Sequence, residues 1–177
     1  IMKECEIDLV MQGHDHCYEV IGPVDPETVT PVMEAITDRE EVSTSISTSG
    51  YKGGTFTVDN ATMYFIGATC GSKRYYPYSR TQMESYYSAH QVKNYFDLFT
   101  GMFCQPGAPS YTTFSVKDMT ITVNSYTADD QGNSTLFNTF KVVRTKEHTP
   151  LTGWEEVRIE EIPQTDATTK ILYQGQF

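Results

Sequence analysis

The segment Gln12-Gly13-His14-Asp15-His16-Cys17-Tyr18-Glu19 crowds chemistry-bearing side chains into a short stretch. Two imidazoles stand two residues apart. Neutral imidazole is the commonest metal-ligating side chain, so such a pair can chelate one ion or serve each member of an ion pair. In a straight strand both rings would share a face; in a tight loop they diverge toward two points. Gly13 permits a sharp turn. Asp15 can accept an imidazole N–H and fix its ring, or simply brace the loop. H-x-H also arises as solvated surface histidine, so the spacing alone leaves a metal site and an ordinary polar loop both open.

These side chains need a frame. Residues 7–11 (IDLVM) are mostly apolar and stop at Gln12-Gly13, which reads as a buried strand with the histidines at its end. Ligand loops of layered α/β proteins gather at strand ends. A core strand so close to Ile1 leads to the expectation that chain is missing upstream. Residues 17–24 read as a second extended segment, closed by Gly22-Pro23. In the acidic stretch 25–41, Thr30-Pro31 has the form of an N-cap followed by proline at the first helical position. Val32, Met33 and Ile36 would then share a face of a short surface helix. Residues 42–57, rich in Ser, Thr and Gly, read as a loop.

Residues 62–68 (TMYFIGA) read as a buried strand leading to Gly71 and the basic, aromatic run Ser72-Lys73-Arg74-Tyr75-Tyr76-Pro77-Tyr78. Lys73 and Arg74 read as solvated cations, with contact to a phosphate as the alternative. Tyr75, Tyr76 and Tyr78 read as packing under residues 81–103, a helical or irregular element. Residues 113–116, 119–126 and 136–143 form the pattern of a three-stranded antiparallel meander. Met119, Ile121 and Val123 alternate with polar neighbours and are expected to face inward. Lys117-Asp118 and residues 129–133 supply the turns. The tail from Trp154 adds an expected edge strand or hairpin. The expected fold class is α+β and β-rich, with residues 1–145 as one domain part and 146–177 as a C-terminal extension.

Composition narrows the function classes. With 13 Lys plus Arg against 23 Asp plus Glu, the net charge is −10. That argues against a nucleic-acid binder and against adsorption to an anionic membrane surface. No apolar run approaches the roughly 20 residues of a spanning helix. The 12 Tyr, 9 Phe and 1 Trp argue against disorder. Cys5, Cys17, Cys70 and Cys104 make no C-x-x-C pair, so they read as buried thiols acting as small hydrophobes, with two disulfides as the alternative.

Residues 8–19 (DLVMQGHDHCYE) resemble the last signature block of the calcineurin-like metallophosphoesterases, and most of all the G-H-x-H-x-Y-E form of the purple-acid-phosphatase branch. The strand 62–68 with Gly71-Ser72-Lys73 is similar to that family's glycine-rich segment, and residues 109–129 to its closing antiparallel hairpin. The likeness covers roughly residues 5–143. It implies the C-terminal part of a four-layer α/β/β/α sandwich with two metal ions at the strand ends, of Fe, Zn or Mn type. His14 is carried over as a ligand of one ion and His16 as a ligand of the other. The implied reaction is hydrolysis of phosphate esters by a metal-activated water, in a secreted or periplasmic setting.

The family's other ligand blocks, D-x-H, G-D-x-x-D, G-N-H-D/E and a lone His, all stand before G-H-x-H, and none precedes His14 in this sequence. The 177 residues alone are therefore expected to hold no metal pair and to need upstream chain for activity. Catalytic and substrate-binding residues are not assignable from the sequence. The alternatives are a non-catalytic β-rich binding module and a degenerate homologue without metals.

Overall fold

The computed structural model describes residues 2–42, 48–75, 78–91 and 96–148. The expected C-terminal edge strand or hairpin and nearly all of the 146–177 extension lie outside the described residues. The chain is β-rich and built on one curled mixed sheet. Its strands are β1 (Leu9–Gln12), β2 (Tyr18–Asp25), β3 (Thr30–Pro31), β4 (Ile36–Glu41), β5 (Thr48–Thr57), β6 (Thr62–Gly67), β7 (Met102–Cys104), β8 (Ser110–Lys117), β9 (Thr120–Ala128) and β10 (Ser134–Val143). The principal order is β1-β6-β2-β7-β5-β10-β9-β8, with β3 on β2 and β4 on β5.

β5 belongs to both lobes of this sheet. Thr48, Ser49 and Gly50 pair with β7. Farther along, β5 pairs antiparallel with β4 and parallel with β10. The glycine content that suggests a loop is instead what lets a strand pass from one lobe to the other. Gly50, Gly53 and Gly54 all have positive φ, where glycine meets no Cβ penalty. A Cβ on Gly50 would collide with the Gly101 carbonyl oxygen. Gly50→Ala is therefore expected to lower stability by about 1–3 kcal/mol through overpacking, with left-handed strain added. Urea denaturation measures this, and an unchanged midpoint would contradict the close β5–β7 approach.

The curl brings the lobes face to face, and the core lies between them. Tyr18, Val20, Met63, Phe65 and Met102 from one lobe meet Phe56, Val123, Phe140 and Val142 from the other. Phe65 and Phe140 lie 5.7 Å apart across the interface, and Phe65 meets Phe114 edge-on at 5.8 Å. The Tyr18 hydroxyl, fully buried, accepts hydrogen bonds from Ser125 Oγ at 3.2 Å and Asn138 Nδ2 at 2.9 Å. Asn138 Oδ1 in turn accepts from the Gly53 amide at 2.8 Å. Buried polar groups of both lobes are thereby paired, as burial requires.

The meander β8-β9-β10 is present with antiparallel register throughout. Its inward face is shorter than alternation suggests. Val123 is fully buried and Ile121 packs against the core, but Met119 is 39 % exposed and sits in the turn before β9. Asp118, at φ 52, makes that turn, and Asp129 braces the next one by accepting from the Asn133 backbone and side-chain amides.

Four other expectations need correction. β1 is an edge strand and not a buried one, because among the described elements it pairs only with β6; Met11 is 64 % exposed. Gly22-Pro23 does not close β2 but lies inside it, at a shift in the β2–β6 register. Thr30-Pro31 forms β3 against β2, not a helix start. The helix reading of residues 32–36 reduces to a 3-10 turn, Met33–Ala35, followed by β4.

The single α-helix among the described residues is α1 (Arg80–His90). It starts at a capping box in which Ser79 accepts from the Gln82 amide and Gln82 accepts from the Ser79 amide. It ends at Gln91 in left-handed conformation. None of the described helices is long and apolar enough to cross a membrane.

Candidate functional site

β1 and β6 run parallel and side by side, from Leu9↔Met63 to Gln12↔Ile66. Their C-terminal ends therefore release two chain segments at the same edge of the sheet, residues 13–17 and 68–75. β2 is antiparallel to both β6 and β7, so it starts where they end. The Tyr18↔Cys104 pair brings the end of β7, and Gln105 after it, to this same place.

His14 is the turning point of the first loop. It holds φ 81, while Gly13 is not in the left-handed region. Histidine is among the non-glycine residues that tolerate this conformation better than most. A Cβ at Gly13 would meet nothing within 4 Å, so the glycine is not what makes the turn. The His14 side chain is 96 % exposed, and its Nδ1 lies 3.8 Å from Asp15 Oδ1, beyond hydrogen-bond distance.

His16 is held far more closely. Its Nδ1 lies 2.9 Å from the Lys73 carbonyl oxygen. That oxygen can only accept, so Nδ1 carries the proton and, in the neutral ring, Nε2 bears the lone pair. Tyr75 packs on the ring at 4.9 Å between centroids with 30° between planes. Asp15 is thus not the partner that orients His16; a backbone carbonyl 57 residues away is. Tyr75 likewise does not disappear beneath α1, being 43 % exposed and set against His16.

Gln105 ties the loops together. It is 6 % exposed, and its Nε2 donates to the His16 carbonyl at 2.8 Å and to the Tyr75 carbonyl at 2.5 Å. Cys17 Sγ also donates to the Tyr75 carbonyl, at 3.0 Å. At the base of the second loop, the Thr69 carbonyl accepts from Ser110 N and Oγ. Sequence reasoning misses Gln105, since nothing local marks a lone glutamine after a short strand.

Burial sets the protonation of the groups at the start of β2. Burial lifts the Glu19 carboxyl to about 7, with the Asp15 carboxylate adding to the rise. Burial also raises the Cys17 thiol to about 11, helped by Glu19 and Asp15, and raises Cys104 to about 12. Both thiols are therefore protonated and unreactive at neutral pH. All four cysteines are free; Cys17 and Cys104 are buried, Cys5 is half-buried and Cys70 is exposed. The reading as small buried hydrophobes thus applies to two of them.

The structure places His14 and His16 on one loop, with one ring turned to solvent and the other fixed against residues 73–75. Among the described residues no group of three or more His, Cys, Asp or Glu is arranged to hold a metal ion. Two neutral nitrogens match the ligand chemistry of a zinc- or iron-type ion, but they do not complete a two-metal centre, which needs carboxylates to offset the charge. Among the described residues His90 bonds within α1, through the Tyr86 carbonyl. His148 lies between Glu6 and Asp8, 3.3 Å from each, beside the buried Arg144, and belongs to a separate cluster. Comparison with protein-family models, with curated proteins and with solved structures finds no match.

Proposed function

We propose that this chain is the C-terminal part of a two-metal phosphoesterase of the calcineurin-like type, resembling its purple-acid-phosphatase branch. The observation that carries the reading is the fixing of His16: Nδ1 is committed to the Lys73 carbonyl, which leaves Nε2 as the ligating nitrogen at a parallel strand end. In this reading the two lobes of the sheet supply the inner β layers of a four-layer sandwich. Two metal ions, when bound, polarise phosphate oxygens and acidify water. This chain's own part is to present one imidazole to each ion, with Gln105 and Tyr75 holding the loop. Residues upstream of Ile1 supply the carboxylates, and the setting is extracytoplasmic.

A second reading, a non-catalytic β-rich module or a metal-free homologue, is favoured by one observation: the described residues assemble no three-ligand group. The test separates the two. The protein is produced with its upstream sequence, and metal content and aryl phosphate hydrolysis are measured for wild type, His14→Ala, His16→Ala and Asp15→Ala. Each histidine variant is expected to lose metal and turnover together, by at least the roughly 10–100-fold typical of losing even an outer partner. Asp15→Ala should stay within a few-fold. The 177 residues alone should hydrolyse little under any metal supplement. Wild-type metal content and turnover in both histidine variants would overturn the phosphoesterase reading.

A further inference from the structure

We propose that Lys73 and Arg74 form an oxyanion clamp that takes the phosphate group of a phosphate ester beside His16. This rests on the phosphoesterase reading for its substrate but not for its chemistry.

Arg74 Nε is buried and has no hydrogen-bond acceptor, the one such side-chain atom among the described residues. Native proteins rarely leave a buried donor in this state. Two other arginines show the contrast. Arg144 pairs with Glu6 and Asp8, and Arg39 donates to the Thr100 carbonyl while lying 3.7 Å over Tyr51. Neither Lys73 nor Arg74 forms a salt bridge among the described residues, in a chain whose net charge is −10.

The position of Arg74 completes the argument. Its chain neighbours on both sides touch His16: Lys73 through its carbonyl and Tyr75 through its ring. Lys73 Nζ also lies 5.2 Å from the Tyr75 ring centroid. The loop carrying them is tied down by Ser110 and Gln105, so the cations are presented on fixed backbone. A guanidinium with a free Nε–H can offer two parallel donors to a tetrahedral oxyanion, geometry that an ammonium cannot reproduce.

The probe is inorganic phosphate, titrated into the isotope-labelled full chain at low ionic strength without metal and followed by amide chemical shifts. Saturable shifts confined to residues 13–17 and 69–75 are expected. Arg74→Gln should weaken binding about 10-fold, in line with loss of charge-assisted hydrogen bonds, Lys73→Gln by less, and Arg74→Lys by an intermediate amount. Lys141→Gln, which removes an exposed cation on β10 away from both loops, should leave phosphate affinity unchanged. If Arg74→Gln does not fold, Arg74→Lys and Lys73→Gln carry the test. Non-saturating shifts spread over the surface, or equal affinity in the arginine variants, overturn the clamp. Binding that depends on Arg74 without hydrolysis in the longer protein keeps the clamp and removes the phosphoesterase reading. Hydrolysis with KM unchanged in Arg74→Gln does the reverse.

Discussion

Truncating Tyr18 to alanine is expected to cost about 3–5 kcal/mol of folding stability, the range for removing a large aromatic side chain from a packed core. Tyr18 is fully buried. Its ring meets Phe65 edge-on at 5.5 Å and Phe137 at 4.9 Å, so the cavity left behind would open where the lobes face each other. Against a total stability of about 5–15 kcal/mol for an ordinary domain, such a loss depopulates the folded state appreciably. Tyr18→Phe isolates the polar part of the effect. It keeps the ring and leaves Ser125 Oγ and Asn138 Nδ2 without their shared acceptor, an expected cost of about 1–3 kcal/mol. Urea denaturation of the three proteins measures both terms. A Tyr18→Phe midpoint equal to wild type would show that the hydroxyl network contributes nothing net. Tyr18 stands two residues after His16, yet its role is to join the lobes that frame the site.

Glu19→Gln is expected to make the protein more stable, and only above mildly acidic pH. Burial, reinforced by Asp15, raises the Glu19 carboxyl from 4.5 to about 7. A raised folded-state pKa means that the folded state binds this proton more tightly than the unfolded state does. Its contribution is therefore fully present below about 4.5, is lost as pH climbs through about 7, and stays lost above. The size is on the order of 3 kcal/mol, from about 1.4 kcal/mol per pKa unit. The neutral amide of the variant carries no such penalty, so its gain at pH 8 should approach about 2 kcal/mol after the amide's own burial cost. Stability measured from pH 4.5 to 8 should fall for wild type and stay nearly level for the variant. Asp25, held low by the Glu27 backbone N–H, and Asp129, held low by Asn133, act below this window and in both proteins alike. Parallel profiles for the two proteins would show that Glu19 is charged without penalty.

The residues themselves determined what is local. Alternation over residues 119–126 and the polar turn residues at 117–118 and 129–133 specify a meander, because a period of two puts every second side chain on one face and short turns leave only one pairing within reach. The apolar run at 62–68 specifies a buried strand in the same way. The types of His14 and His16 already marked the chemistry they can do.

Tertiary structure decided what depends on partners distant in the chain. β5 was illegible because glycine contributes no hydropathy pattern; its strand character comes from hydrogen bonds to β4, β7 and β10. β4 was hidden in an acidic stretch for a related reason, as its backbone pairs while its charged side chains remain largely outside. Met119 obeyed the alternation and still ended in a turn, because Asp118 in left-handed conformation takes the chain out of the sheet there. At the candidate site the sequence supplied two imidazoles but not their difference. His14 turns out to solvent and His16 is locked, because the Lys73 carbonyl, the Tyr75 ring and Gln105 arrive from segments that meet only when parallel β1 and β6 end together. A backbone carbonyl has no residue type, so no reading of residue types could have found the partner that fixes the His16 ring.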